Sequence, residues 1–288
     1  VYYNMVSSIL RALGDSKTPL YFLIFASVLN VILDLIFIGC FKMGVRGAGY
    51  STVLSQLVSA VLCNIYSIKH FEVMRLKKSD FCWNTHSAIV HLSIGIPMAL
   101  QFSITAIGTM VLQSAFNAFG STVVAAYTAA SKVESLVTQP FQALALTLAT
   151  FCGQNLGAGK KDRIRAGMKE GTIMCMAACG LAIIIDVFGG KYFTMLFVSG
   201  NSTSVIKYSQ TYLYTTAVFY PSLGLLYIYR NALQGIGESL IPMLGGVGEL
   251  TARVFACIVL PPFLGYIGVC LASPMAWVTT SMILLIKY

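Results

Sequence analysis

The sequence predicts an all-α, polytopic membrane protein with about eight transmembrane helices and a short helical stub before the first. Hydrophobic residues make up 57% of the chain and charged residues 10%, whereas soluble domains carry about a quarter charged residues. The apolar residues lie in stretches of about 20, the length that a helix needs to cross a bilayer. These stretches lack the alternation of a membrane β-barrel strand, so we expect helices.

Short connections separate the apolar stretches, and residues 1–12 are predicted to be the last turns of a further helix. Pro97, Pro140 and Pro221 fall inside three of the stretches, where each interrupts the backbone ladder and predicts a bending point. The candidate transmembrane helices are residues 19–41, 45–68, 88–118, 121–151, 166–188, 207–234, 241–262 and 266–287.

One element of the sequence occurs twice. Residues 14–19 (Gly-Asp-Ser-Lys-Thr-Pro) and 237–242 (Gly-Glu-Ser-Leu-Ile-Pro) each open an apolar stretch that leads to a second glycine turn, at Gly44 and Gly265. The serine of each motif is predicted to cap the helix that follows. The copies lie six predicted helices apart, so both run the same way through the bilayer, as in transporters built from parallel repeats.

The repeat predicts the organisation of the chain. If the two halves are equal, three to four helices would precede residue 1, and the protein would have two bundles and about twelve helices. Residues 1–70 would then be the C-terminal part of the N-terminal bundle, 71–87 a cytoplasmic linker, and 88–288 a C-terminal six-helix bundle.

The net charge of +9 is better explained by membrane topology than by nucleic-acid binding. Alternating the connections between the two sides leaves only Lys42, Arg46, Lys191 and Lys207 on one face. By the positive-inside rule the other face is cytoplasmic. That face carries Arg11, Lys17, Lys69, Arg75, Lys77, Lys78, Lys160, Lys161, Arg163, Arg165, Lys169 and Lys287.

The residue patterns of common enzyme and cofactor sites are missing from the sequence. The eight cysteines are scattered and form no CxxC pair, so we expect them to be packing residues. The glycines of residues 153–161 lack the spacing, the Ser or Thr and the preceding strand of a phosphate-binding loop. We therefore expect no metal site, no cofactor and no enzymatic activity.

Four motifs, taken in order, resemble the multidrug and toxic compound extrusion (MATE) family of antiporters. The resemblance covers the whole chain, from the end of the family's fourth helix to its twelfth, and so implies that the N-terminal helices are missing. The motifs are Arg11-Ala12-Leu13-Gly14-Asp15 with Lys17-Thr18-Pro19; Asn30 and Asp34 with Phe37-Ile38; Gly44-Val45-Arg46-Gly47-Ala48; and Gly153-Gln154-Asn155-Leu156-Gly157-Ala158-Gly159-Lys160.

The resemblance implies a function and a branch of the family. It implies a monomer in the inner (cytoplasmic) membrane that exports amphipathic, often cationic compounds in exchange for Na⁺ or H⁺ by alternating access. Family members of the NorM type carry acids on helices seven and ten, but residues 88–118 and 207–234 hold no Asp or Glu. Asn30 and Asp34 instead resemble the DinF-like branch, whose cation or proton site lies in the N-terminal bundle.

Asp34 is the strongest site candidate on physical grounds as well. It lies inside a predicted membrane helix, where an ionised carboxylate costs several kcal/mol unless it is paired or neutralised. Asn30 stands one turn away on the same face, and no Lys or Arg stands three or four positions from Asp34. Such a carboxylate is expected to bind a proton or a cation. The alternative is a protonated Asp34 that bonds Asn30 for packing alone.

The other polar residues of the membrane segments are candidates for the substrate cavity. Lys132 and Glu134 are too close in sequence to face each other on a helix; with Gln139 they either line a cavity or pair with other helices. Gln101 lies where an acid would be expected in the NorM type. Glu249 and Arg253 form an i, i+4 pair, for which structural pairing is the preferred interpretation.

Two other functions remain open at the sequence level. One is a lipid-linked precursor flippase of the same superfamily, which is expected to show a more basic cavity and additional helices. The few intramembrane cations, Lys132, Arg230 and Arg253, argue against it. The other is a membrane receptor or scaffold without transport activity, in which Asp34 and Glu134 would tolerate neutral replacement.

Overall fold

The computed structural model describes residues 2–75, 77, 80, 82–198 and 203–287, and every regular element in these ranges is a helix. Part of the predicted linker 71–87, including the basic residue Lys78, lies outside the described residues. The predicted fold class, an all-helical polytopic membrane protein, is confirmed. The α-helices are α1 (Tyr2–Ala12), α2 (Lys17–Asp34), α3 (Gly44–His70), α4 (Thr85–Asn117), α5 (Ser121–Gly157), α6 (Lys161–Ile184), α7 (Gly190–Phe197), α8 (Thr203–Ala217), α9 (Tyr220–Gly235), α10 (Leu240–Val259), α11 (Pro261–Leu264), α12 (Tyr266–Cys270) and α13 (Ala272–Lys287).

In the described part of the chain, seven helical segments are long and apolar enough to cross a membrane. The predicted segment 207–234 is not among them, because it is broken between Ala217 and Tyr220 into α8 and α9. Pro221 stands in the first turn of α9, where its missing N–H breaks no helical bond. Pro97 and Pro140, by contrast, lie inside continuous helices.

Two stretches of π-helix interrupt the transmembrane segments. One follows α2 and spans Leu35–Cys40, and the other, Ile185–Gly189, joins α6 to α7. The segment predicted at 166–188 is therefore longer than expected and continues to Phe197. A π turn holds one more residue per hydrogen-bonded loop than an α turn and is frequent at functional sites.

The two copies of the repeated element share their backbone geometry. Gly14 and Gly237 have φ angles of 94° and 89°, and Gly44 and Gly265 have φ angles of 58° and 57°. After Gly14 and Gly237, the next residue donates its backbone N–H to the carbonyl five residues earlier at 2.9 Å. Left-handed glycines that end helices in this way are a common terminator.

The helix caps of the two copies also match, but the predicted capping residue is wrong. Ser16 and Ser239 make no side-chain capping bond. The acidic residue before each serine does so instead: Asp15 Oδ1 accepts a bond from the backbone N–H of Thr18 at 3.1 Å. Glu238 Oε1 accepts bonds from the first two N–H groups of α10 at 3.1 and 3.4 Å. A carboxylate also suits the positive end of the helix dipole.

The chain divides into two compact units, one ending at Asn84 and one beginning at Thr85. In the first unit α3 packs against α1 and α2. Its buried face carries a serine every fourth residue, at Ser51, Ser55 and Ser59, and such small residues let membrane helices approach closely.

In the second unit α5 packs against α6, α8 and α9, and α10 packs against α4 and α13. The larger core cluster includes the buried rings of Phe141, Tyr220 and Trp277. The helices α4, α5, α9 and α10 of this unit hold the polar residues of the second candidate site. The finer division into N-terminal bundle, linker and C-terminal bundle stays a prediction.

Candidate functional site

The first candidate site lies in the unit that ends at Asn84 and surrounds Asp34, the last residue of α2. Helix α3 brings Ser51 against it, and the Ser51 hydroxyl donates a hydrogen bond to Asp34 Oδ1. Asn30 Nδ2 lies 3.4 Å from Ser51 Oγ and 3.5 Å from Thr52 Oγ1. Asp34 and Asn30 are both half-buried.

The partners of Asp34 in this site are neutral. Among the residues that the structure describes, both ion pairs involve Glu249, and neither involves Asp34. The Ser51 hydroxyl solvates the carboxylate but does not compensate its charge. The geometry is therefore compatible with a site that takes up a proton or a cation.

The second candidate site is a cavity of about 430 Å³ in the other unit, between α4, α5 and α9. Two predicted substrate residues, Gln101 and Gln139, both line it. Gln101 is buried, and its Oε1 accepts a bond from Gln234 Nε2 at 2.6 Å. Most lining side chains are amides or aromatic rings, and the full set is Gln101, Phe102, Gln139, Gln142, Ala143, Leu146, Tyr227, Arg230, Asn231 and Gln234.

Sequence reasoning missed the α9 side of this cavity. Tyr227, Arg230, Asn231 and Gln234 stand at positions i, i+3, i+4 and i+7 of α9, so they form one polar stripe on the helix. A search for polar residues at helical spacing within an apolar stretch would have found them.

A cluster of three charged residues adjoins the cavity. Glu249 and Arg253 of α10 form the expected i, i+4 ion pair, with 3.0 Å between Oε1 and Nη2. Arg230, which lines the cavity, places its Nη2 2.7 Å from the other oxygen of Glu249. Their exposures are 8% for Arg230 and 4% for each of the other two. One carboxylate thus contacts two guanidinium groups, and the cluster has a net charge of +1.

The guanidinium groups of this cluster are only partly satisfied. Arg230 Nε, Arg253 Nε and Arg253 Nη1 are buried without a hydrogen-bond partner. Gly108 of α4 makes room for one of them, because a Cβ built at this glycine would overlap Arg253 Nη1. Buried donors without partners favour the approach of an acceptor.

Glu134 and Lys132 are not among the residues that line this cavity. Glu134 Oε2 accepts a bond from the hydroxyl of Tyr212 at 2.8 Å, and its Oε1 is buried without a partner. Lys132 Nζ lies 5.5 Å from the centre of the Phe197 ring, within the range of a cation–π contact. A role for these two residues in substrate binding stays a prediction.

Asp186 is a further buried acid of the second unit. It is 1% exposed, lies in the second π-helical stretch, and accepts a hydrogen bond from the Tyr220 hydroxyl. Its Oδ1 is buried without a partner.

Comparison with known proteins identifies the family. A family profile described as MatE matches residues 97–258, which is more than half of the chain. The chain belongs to the MATE family. This confirms the resemblance seen in the motifs, and it places the chain among multi-pass membrane transporters rather than enzymes.

Two curated relatives and one solved structure illustrate the match. The probable multidrug resistance protein YpnP of Bacillus subtilis (strain 168) is 34% identical over 242 residues, which cover 83% of this chain and 53% of the relative. The FAD transporter of Shewanella oneidensis is 27% identical over 278 residues, covering 92% of this chain and 59% of the relative. A mutant form of the Vibrio cholerae MATE transporter VcmN has the same fold, with a TM-score of 0.90 at 19% identity over 99% of this chain and 65% of that one.

These matches also show how much of the relatives' length the chain covers. It spans about half the length of the curated relatives it matches. The assignment to the DinF-like branch stays a prediction.

Proposed function

We propose that the full-length protein containing this chain is a secondary active transporter that exports amphipathic small molecules in exchange for Na⁺ or H⁺. It works by alternating access, as a monomer in the inner (cytoplasmic) membrane. Membership of the MATE family supports transport, and the printed names of the relatives include multidrug resistance proteins and an FAD transporter. The cationic substrates expected from the sequence stay a prediction.

The environment of Asp34 is the observation that supports the coupling of export to Na⁺ or H⁺. Its carboxylate is half-buried in a membrane-spanning helix and contacts the hydroxyl of Ser51. The ion pairs among the described residues do not include it. An acid in such a place is stable only when it binds a proton or a cation or is wetted by a water-filled cavity. The state of the carboxylate therefore depends on the side of the membrane to which the site is open.

The coupling of ion uptake to substrate export follows from thermodynamic linkage between binding and conformation. When Asp34 takes up the ion from outside, its charge is neutralised and the packing of α2 against α3 changes. The π-helical stretch Leu35–Cys40 begins directly after Asp34, so the change occurs where the helix is already irregular. An ion that binds one conformation better than the other must shift the equilibrium between them, and substrate does so reciprocally.

The experiment that tests this proposal is the substitution Asp34→Asn in the full-length protein. Efflux of a fluorescent drug from cells is measured at equal expression, with and without an imposed Na⁺ or H⁺ gradient. The variant is expected to lose the dependence of efflux on the gradient. The matched control is Asp162→Asn at an exposed position in the first turn of α6, which is expected to keep it.

Unchanged gradient-driven efflux in Asp34→Asn would remove this residue from the mechanism. A wild-type protein that moves no amphiphile under any gradient would support the receptor or scaffold alternative instead. The flippase alternative gains support from one observation, the net positive charge of the cluster that adjoins the cavity.

A further inference from the structure

We propose that the cavity between α4, α5 and α9 binds the anionic group of an amphipathic substrate, and that Arg230 is the residue that contacts it. The inference rests on the proposed transport function and deepens it, because it names the charge of the substrate. The chemical class is an amphiphile that carries a carboxylate, sulfonate or phosphate.

The buried cluster beside the cavity carries an excess of positive charge. Among the described ion pairs, Glu249 is the one carboxylate in contact with both Arg230 and Arg253, and all three side chains are more than nine-tenths buried. The described residues that line the cavity include no Asp or Glu. A buried charge without a counterion is costly, and an anion in the cavity would compensate the excess positive charge.

Arg230 has a hydrogen-bond donor that no described protein group satisfies. Arg230 is the member of the cluster that lines the cavity, and its Nε is buried without a partner. Glu249 occupies only Nη2 of its guanidinium. The guanidinium therefore keeps N–H groups that Glu249 does not use, and guanidinium N–H groups bind carboxylate and phosphate oxygens strongly.

The other side chains that line the cavity suit an amphipathic molecule. Gln139 and Gln142 add amide groups that can donate hydrogen bonds to a polar head group, while Phe102 and Leu146 offer apolar surface. The cavity therefore matches a molecule with one polar, negatively charged end and one apolar end.

A cationic head group fits the same place poorly. It would approach Arg230 in a region of low dielectric, where like charges repel strongly. Another buried acid of this unit, Glu134, interacts electrostatically with Arg253, but its carboxylate is bonded to Tyr212 and does not line the cavity. The charge preference of the cavity is therefore set by Arg230.

The inference is tested by equilibrium binding to the full-length protein in nanodiscs of neutral lipid. Three fluorescent probes share one apolar part and differ in their end group: pyrenebutyrate, pyrenebutanol and pyrenebutyl-trimethylammonium. Empty nanodiscs measure partition into lipid. We expect the order of affinity to be carboxylate, then alcohol, then ammonium. An ammonium probe that binds the wild-type protein at least as well as the carboxylate would overturn the proposal without any variant.

Three variants, each of which removes one positive charge, test whether Arg230 is the residue that binds the carboxylate probe. Arg230→Gln leaves Glu249 balanced by Arg253, so the fold is expected to survive, as thermal unfolding would verify. It should weaken carboxylate binding by about tenfold or more, since a charge-assisted bond is lost, and leave the alcohol probe unchanged. Arg253→Gln removes the same charge from outside the cavity and should have a smaller effect. Lys191→Gln, at an exposed position, should have none.

Equal effects of Arg230→Gln and Lys191→Gln on carboxylate binding would contradict the assignment of the site. Because binding is measured without an ion gradient, this result differs from a failure of the transport proposal, which is the absence of gradient-driven efflux in the wild-type protein.

The anionic group could belong to a soluble amphiphile or to a membrane lipid. Repeating the carboxylate titration in nanodiscs that contain phosphatidic acid separates the two sources, with Arg230→Gln in the same discs as the reference for bilayer repulsion. If phosphatidic acid lowers the affinity for pyrenebutyrate in the wild-type protein but not in Arg230→Gln, the occupant of the cavity is a lipid phosphate. An unchanged wild-type affinity relative to the variant would identify the soluble compound.

Discussion

The Asp34 site and the Glu249 cluster each hold a carboxylate within the membrane-spanning part of the chain, and they differ in the charge of its partners. Each places one carboxylate on a helix that follows the same turn motif, α2 in the first copy and α10 in the second. Asp34 is bonded by a neutral hydroxyl, whereas Glu249 contacts two guanidinium groups. The first site keeps an excess of negative charge when ionised, and the second has an excess of positive charge.

One position of the repeat accounts for much of this difference. Counted from the turn glycines Gly14 and Gly237, Asn30 and Arg253 occupy the same place, each sixteen residues further along the chain. An amide at this place leaves the nearby carboxylate open to a cation, and a guanidinium closes it. The duplicated element thus carries a carboxylate with a neutral partner in one copy and an ion-paired carboxylate in the other, and the excess positive charge of the second site comes from Arg230 on α9.

The largest effect is expected from Glu249→Gln. It removes the only carboxylate that contacts Arg230 and Arg253 among the described ion pairs, so two buried guanidinium groups would remain uncompensated. Breaking a buried ion pair in this way costs about 3–5 kcal/mol. Asp34→Asn should change the free energy of unfolding much less, because its partner is neutral. Thermal unfolding of both variants in one detergent tests the contrast, and equal shifts would show that the two carboxylates do not differ as described.

A second effect follows from the close approach of α4 to the cluster. Gly108→Ala would place a methyl group in overlap with the present position of Arg253 Nη1, and the guanidinium would have to move. Overpacking of this kind costs about 1–3 kcal/mol. Gly95→Ala on the same helix meets nothing within 4 Å and should be neutral or slightly stabilising. If both variants unfold at the wild-type temperature, α4 does not constrain Arg253.

A third effect concerns the neutral site. Ser51→Ala removes the hydroxyl that bonds Asp34, whereas Ser55→Ala removes one that bonds only a backbone carbonyl in its own helix. A lost hydrogen bond to a charged group costs about 1.5–3 kcal/mol, and one to a neutral group about half as much. We expect Ser51→Ala to reduce the thermal stability more than Ser55→Ala at neutral pH. Equal losses would indicate that Asp34 is uncharged in the resting protein.

Long-range periodicity along one helix was predicted well, whereas the capping residues Ser16 and Ser239 were predicted wrongly. Hydropathy predicted the helices, and the i, i+4 spacing predicted the pairing of Glu249 with Arg253. Partners from another helix, such as Ser51 for Asp34 and Arg230 for Glu249, could not be predicted, because spacing along one helix says nothing about which faces meet. Hydropathy also missed the break before Pro221, since the residues on both sides of it are apolar.

The smallest effect tests whether the two copies are equivalent outside their charged sites. Asp15 and Glu238 cap α2 and α10 in the same way, so Asp15→Ala and Glu238→Ala should each lower stability by a similar amount, about 0.5–1 kcal/mol. Thermal unfolding of the single and double variants measures this, and distant sites should be additive within about 0.5 kcal/mol. Additive, equal losses would mean that the copies share their turn energetics and differ only in the charges carried by the helices that follow. A large loss from one cap alone would show that the divergence of the two copies begins already at the turn, before the position occupied by Asn30 and Arg253.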